Sequence, residues 1–312
     1  MPPQPASPAW SPARIKALLL LAGPLLLPLL GPQLVWLHTL VPVSVSYQLV
    51  TWGRAANSLV LQALLAAAVV ALFTQTVALF FFGLAMVPLG YILAAGIERR
   101  DSASWLGLKA FAYLGVFWLL LAAYAGISGG PTPLALVRDN LDQGMTAALG
   151  QQPGDGPAEQ QVAATLAELR NFIDRAWPAL FTISLLGLVW LNLLANHWLL
   201  RPKGLSPWSE LRHWRLPDHF VALAAGALLL SLLKIEPATT IGLNTALVLA
   251  MLYFMQGLGV VSHLLIYWQV PPLLRGICYA LVLLQGYGLL LLALLGLAEV
   301  RLNLRRRFAV GQ

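Results

Sequence analysis

Nine apolar stretches, near 15–31, 34–50, 57–73, 76–97, 105–128, 177–200, 219–234, 241–268 and 273–300, take up most of this 312-residue chain. A run of about 20 such residues matches the hydrocarbon thickness of a bilayer, and only a helix can carry its backbone through lipid without leaving polar groups unpaired. The pattern therefore predicts an all-α fold: a polytopic transmembrane helical bundle of about eight, alternatively nine, spans with two external amphipathic helices, forming one integral membrane domain over 1–312. Composition agrees. Residues of the apolar set make up 59% of the chain and charged residues only 10%, against roughly 25% charged in soluble domains.

The basic residues sit where topology needs them. Arg14 and Lys16 place the N-terminus inside, and successive pairs of crossings return Arg54, then Arg99, Arg100 and Lys109, to the same side. The first apolar run follows a polar, Pro-rich start but ends at Gly31-Pro32-Gln33 without a small-residue cleavage site, so it reads as an uncleaved first helix. Segment 129–176 holds three arginines against six carboxylates, a net −3, and is assigned outside. The loop with Arg201, Lys203, Arg212 and Arg215 returns inside. Nine full crossings would strand Arg301, Arg305, Arg306 and Arg307 outside, so the sixteen-residue stretch 219–234 is expected to be re-entrant or interfacial, leaving eight. With the cations spent in this way, nucleic acid is excluded as a main partner.

Segment 129–176 is expected to form two amphipathic helices. Leu134, Val137, Leu141, Met145 and Ala148 recur at helical steps, as do Val162, Leu166, Leu169, Ile173 and Trp177, with a turn-forming Gly150–Pro157 loop between them. Helices of this kind rest on the bilayer surface or cover an outward-facing cavity.

Chemistry-bearing motifs are scarce. There is no phosphate-binding glycine loop, no H-E-x-x-H and no Cys/His metal spacing; Cys278 is the single cysteine. The literal G-x-S-x-G at Gly126–Gly130 follows a membrane helix rather than a strand, so Ser128 is not expected to be a nucleophile. No enzyme activity and no cofactor are expected. Polar side chains within spans carry more information, because burying them is costly unless they pair or line a wet cavity. Tyr253, Gln256, Gly259, His263 and Tyr267 form one stripe on the 241–268 helix. Cys278, Leu281, Gln285, Gly288, Leu292, Gly296 and Glu299 form a small-residue face on 273–300 that suits close packing against it. Asn192 and Asn196 share a side of the sixth span. The candidate ligand-binding set is Tyr253, Gln256, His263, Gln285, Asn192 and Asn196; the simpler alternative is hydrogen bonding between helices. Since no carboxylate shares the stripe of His263, it is not read as a proton relay.

Tyr253-Phe-Met-Gln256-Gly257, then Pro272-Leu-Leu-Arg275, then Leu294-Leu-Gly296-Leu-Ala-Glu299 with the Arg305–Arg307 tail, resemble the YybS-like family of predicted bacterial membrane proteins. Pro42-Val-Ser-Val, Trp52-Gly53-Arg54 and the span containing Gly83 and Gly90 are similar to the same family. Glu299 stands where its members often carry Asp, and Val300-Arg301 replaces the aromatic residue that usually follows. The resemblance implies a multi-pass protein of the bacterial cytoplasmic membrane without a settled activity. A more distant likeness, to the substrate-binding membrane subunits of energy-coupling-factor vitamin transporters, implies binding of a small solute with separate ATPase and coupling subunits as partners. The competing function is a non-transporting membrane scaffold that recruits partner proteins.

Overall fold

The structure is a computed structural model that describes residues 12–150, 157–208, 214–233 and 235–308. Most of the Gly150–Pro157 turn, Arg212 and Lys234 lie outside these residues. No strand occurs among the described residues. The helices are α1 (Pro12–Leu30), a 3-10 turn (Pro32–Leu40), α2 (Val41–Trp52), α3 (Ala56–Phe73), α4 (Val77–Glu98), α5 (Ala103–Ser128), α6 (Pro133–Gly150), α7 (Pro157–Leu200), α8 (Phe220–Leu232), α9 (Ala238–Tyr267), α10 (Pro272–Leu284), α11 (Gly288–Leu302) and α12 (Leu304–Arg307). Among the described residues, five runs are long and apolar enough to cross a membrane: Gln33–Phe73, Val77–Glu98, Ala103–Ser128, Ala164–Lys203 and Ala238–Tyr267. Phe220–Leu232 and Pro272–Val282 are shorter apolar helices.

Two compact units emerge. The first comprises residues 1–120 and 185–209, the second 121–184 and 210–312. In the first, α2 packs on α4 and α1 on α3. Small residues set the spacing: a Cβ at Gly90 would lie 2.7 Å from Val45 Cγ1 and 3.0 Å from the Pro42 carbonyl, so only glycine allows this approach. His38, fully buried, stacks at an angle on Phe82 and fills the space left by Gly83.

In the second unit, α6 and the first part of α7 form an antiparallel hairpin. Arg138 Nε donates to Asp174 Oδ1 at 2.7 Å, and Arg170 lies 3.2 Å from Asp142. The two expected amphipathic helices are thus present and paired with each other. The second of them is continuous with the following span, giving 44 residues and a length of roughly 66 Å, well beyond a bilayer of about 40–45 Å. At Pro178, which lacks an N–H, the amide of Asn244 on α9 enters the helix. Its Nδ2 donates to the Arg175 carbonyl and its Oδ1 accepts from Ala179 N–H, both at 2.8 Å. Those two groups would bond each other in a straight helix; proline together with an inserted side chain is a recognised cause of a bend.

The expected single helix over 273–300 is not formed. It breaks at Gln285-Gly286-Tyr287, where Gln285 is extended and Gly288 N–H donates to the Gln285 carbonyl at 2.8 Å. Two glycines within three residues remove the helix preference that would hold the run together. Gly288 turns so closely past the Val282 carbonyl that no side chain fits there.

Candidate functional site

The six sequence-predicted site residues do not converge. Asn192 and Asn196 belong to the first unit, while Tyr253, Gln256, His263 and Gln285 belong to the second. Ser46 Oγ donates to Asn196 Oδ1 at 2.7 Å, and Asn192 Nδ2 donates to the carbonyls of Leu188 and Thr39. Both asparagines thus join the end of α7 to the 3-10 turn and α2. Gln285 is exposed in the break after α10 rather than facing α9. The expected inward stripe requires one continuous helix; once the helix stops, the 100° phase that aligns Gln285 with Gly296 no longer applies, and Gln285 does not join the stripe.

Gln256 behaves as the stripe predicts. It lies near the middle of α9 and is fully buried, with Oε1 accepting from Leu216 N–H at 2.8 Å and Nε2 donating to the Gly296 carbonyl at 2.7 Å. Closeness of α9 and α11 makes the second bond possible. Gly257 sits directly on the Leu292 carbonyl and Gly296 on that of Tyr253, an antiparallel crossing that a Cβ on either glycine would break. Gly288, Leu292, Gly296 and Glu299 are all buried, so the C-terminal half of the predicted small-residue face is present.

Around Gln256 lies a charged cluster that the stripe argument left out. The carboxylate of Glu299, at the end of α11, accepts from Leu304 N–H at 2.7 Å and from Arg305 N–H at 3.5 Å, capping α12. Arg305 turns inward, with Nε 3.6 Å from Glu299 Oε1, and donates to the carbonyls of Trp214 and Gln256 at 3.0 and 3.1 Å. These two side chains are only 9% and 4% exposed. Arg215 reaches in beside them, donating to Asn303 Oδ1 at 2.9 Å and to the Val300 carbonyl at 3.0 Å. Asn303 occupies the left-handed region, φ 48°, which reverses the chain and lays residues 304–308 back along α9. There His263 Nε2 pairs with the Phe308 carbonyl at 2.8 Å, and Tyr267 meets the Phe308 ring. In the sequence the basic tail carries only a topology signal; the αL turn that folds Arg305 back onto Glu299 has no hydrophobic periodicity to reveal it.

The placement of the cluster along α9 is unusual. α8 covers the first half of that helix, with Gly242 against the backbone of Ala227 and Ser231, and α11 covers the second half. Each is short, 13 and 15 residues, or about 20 Å against a hydrocarbon core of about 30 Å. Their facing ends lie near Tyr253 and Gln256, where the non-helical segment 214–219 and the tail 303–308, which carries the short α12, enter. Leu216, Ala224, Tyr253, Ala293 and Val300 close around them as one buried cluster. Ionisable side chains buried within a membrane span commonly mark a solute or ion path.

Residues 15–300 match the model of the DUF2232 family, described as predicted membrane proteins. The chain belongs to this family. The match covers nearly all of it, so the membrane character read from composition applies to both units. It is made to the family as a whole and does not single out the YybS-like group or the energy-coupling-factor subunits. No curated protein and no solved structure matches the chain. Like others described by that model, this member is a multi-pass membrane protein whose bilayer contact follows from its apolar helices.

Proposed function

We propose that this protein binds a small polar solute within the cytoplasmic membrane of a bacterium, as a transport component that neither hydrolyses ATP nor catalyses a reaction. One observation carries the reading: the Glu299–Arg305 pair is buried beside Gln256, midway along a long helix that packs against two half-length helices. Replacing a buried ion pair by apolar residues is often neutral or stabilising, so a bundle needing only stability has little use for one at this depth. In this reading α9 crosses from the outer side, where Asn244 grips α7 beside the acidic hairpin, to the inner side. α8 with residues 214–219 makes the preceding crossing, and α11 with the tail enters and leaves from inside. The chain then crosses eight times and ends inside, with its arginines. In this reading an ATPase would be a separate partner.

The scaffold reading draws on a specific observation too: the amides of Gln256 and Asn196 are already occupied by protein groups, Gln256 by Leu216 N–H and the Gly296 carbonyl, Asn196 by Ser46 and the Asn192 carbonyl of its own helix. Native mass spectrometry of the protein in lipid nanodiscs, beside Glu299→Gln, separates the two. Solute binding predicts a small molecule on the wild-type chain that is lost from the variant. A stoichiometric protein partner with no small molecule on either form would put the scaffold first.

A further inference from the structure

We infer that α10 is a lipid-surface element: it lies in the membrane interface at the end of α9, with its apolar face among the acyl chains, and does not cross. Leu273, Ile277, Leu281 and Leu284 recur at steps of 4, 4 and 3, which places them on one side of the helix. All four are exposed, Leu273 at 78% and Leu284 at 84%. On the other side Arg275, Cys278, Tyr279 and Val282 are half-buried, and Arg275 Nε donates to the Val270 carbonyl at 2.6 Å. The helix therefore turns its polar and small residues toward the protein and its leucines away from it.

Length and ends decide what meets those leucines. Thirteen residues reach about 20 Å, short of the roughly 30 Å needed to cross. Before α10 stand exposed Trp268 and Gln269 and the pair Pro271-Pro272; after it stand exposed Gln285, Gly286 and Tyr287. Helix ends leave carbonyls and N–H groups without partners inside the helix, and such groups are not left bare in hydrocarbon. An exposed break on the far side of α10 therefore lies within reach of water. Tyr287 and Trp268 at the two ends are the aromatic types that settle at headgroup level. A short amphipathic helix with both ends wet and one apolar face open fits the interface, its leucines immersed by about 5–10 Å. This inference does not rest on the solute-binding reading and survives its failure.

Site-directed spin labelling tests it. In a Cys278→Ser background, single cysteines replacing Leu273, Ile277, Leu281, Gln285 and Tyr287 are labelled with a nitroxide, and the protein is reconstituted in phosphatidylcholine vesicles containing phosphatidylglycerol. Relaxation by oxygen and by a water-soluble nickel chelate is then compared. Labels at 273, 277 and 281 should respond to oxygen over nickel at one shallow depth, and labels at 285 and 287 should respond to nickel. Depth that increases steadily from 273 to 287 would overturn the proposal in favour of a spanning segment. Labels on the leucine face that respond to neither reagent would overturn it in favour of a protein cover, and nickel access there would mean that the face is simply wet. Should the variants not assemble, the unmodified chain in vesicles containing a headgroup-proximal photoactivatable lipid provides the second reading. Cross-links along 273–284 are expected, and their absence there alongside cross-links elsewhere would overturn the proposal.

Discussion

Replacing Gly296 by alanine should loosen the second unit far more than its size suggests. The new Cβ would press on the Tyr253 carbonyl and lie 2.8 Å from Gly257 N, where ordinary contact begins at 3.4 Å. Both obstacles are backbone, so α9 and α11 must part, by roughly 1 Å at the crossing. Overpacking of this kind costs about 1–3 kcal/mol. The same movement stretches the 2.7 Å bond from Gln256 Nε2 to the Gly296 carbonyl beyond hydrogen-bonding range and strands a buried amide, for about another 1–3 kcal/mol. Gly226 in α8 is the control: nothing lies within 4 Å of its Cβ position, and alanine there should be neutral or stabilising by about 0.5–1 kcal/mol. Thermal unfolding in mild detergent, followed by size-exclusion chromatography of the heated samples, ranks the variants. Gly257→Ala should resemble Gly296→Ala, and the double variant should cost less than their sum because both part the same helices. If Gly296→Ala melts with the wild type, the close crossing of α9 and α11 is wrong.

Breaking the buried pair should be harsher than removing it. Arg305→Leu, which leaves Glu299 buried without its guanidinium, should destabilise by about 3–5 kcal/mol, and Glu299→Gln combined with Arg305→Leu by clearly less, as a double-mutant cycle on melting temperatures will read. At the surface, reversing Arg138 to Asp should cost only about 0.2–1 kcal/mol, and adding Asp174→Arg should recover it; a cost several times larger would mean that the hairpin carries more than its ion pairs. Asn244→Leu removes the amide clipped between Arg175 and Ala179 and lets those groups bond each other. Hydrogen exchange at Ala179 should then slow; faster exchange would show that the asparagine protects the bend rather than opening it.

The apolar runs made the helical class legible from sequence, and two local rules carried further. The 100° stripe placed Tyr253, Gln256 and His263 on one buried side of α9, and the small-residue face placed Gly296 against it. The stripe fails where its premise fails: Gln285 follows thirteen helical residues that stop at Leu284, just before Gly286 and Gly288, and no periodicity survives such a break. The hairpin's two apolar patterns were visible, but its register is set by Arg138–Asp174 and Arg170–Asp142, pairs 36 and 28 residues apart whose partnership no local window contains. The charged cluster was the hardest to see. Arg215 and Arg305 look like ordinary inner-face charges until a left-handed Asn303 and the carboxylate of Glu299 fold the tail back onto α9.

The depth of that cluster is the decisive quantity. With Cys278 replaced by serine, a nitroxide at Leu302→Cys, exposed at the end of α11, and another at Leu284→Cys, at the end of α10, can be located by their quenching of fluorophores fixed at known acyl-chain depths. If the charged cluster sits at membrane depth, position 302 lies in the hydrocarbon interior and position 284 near the headgroups. Finding 302 at headgroup level would place Glu299, Arg305 and Arg215 at an ordinary interface and remove the basis for a solute site.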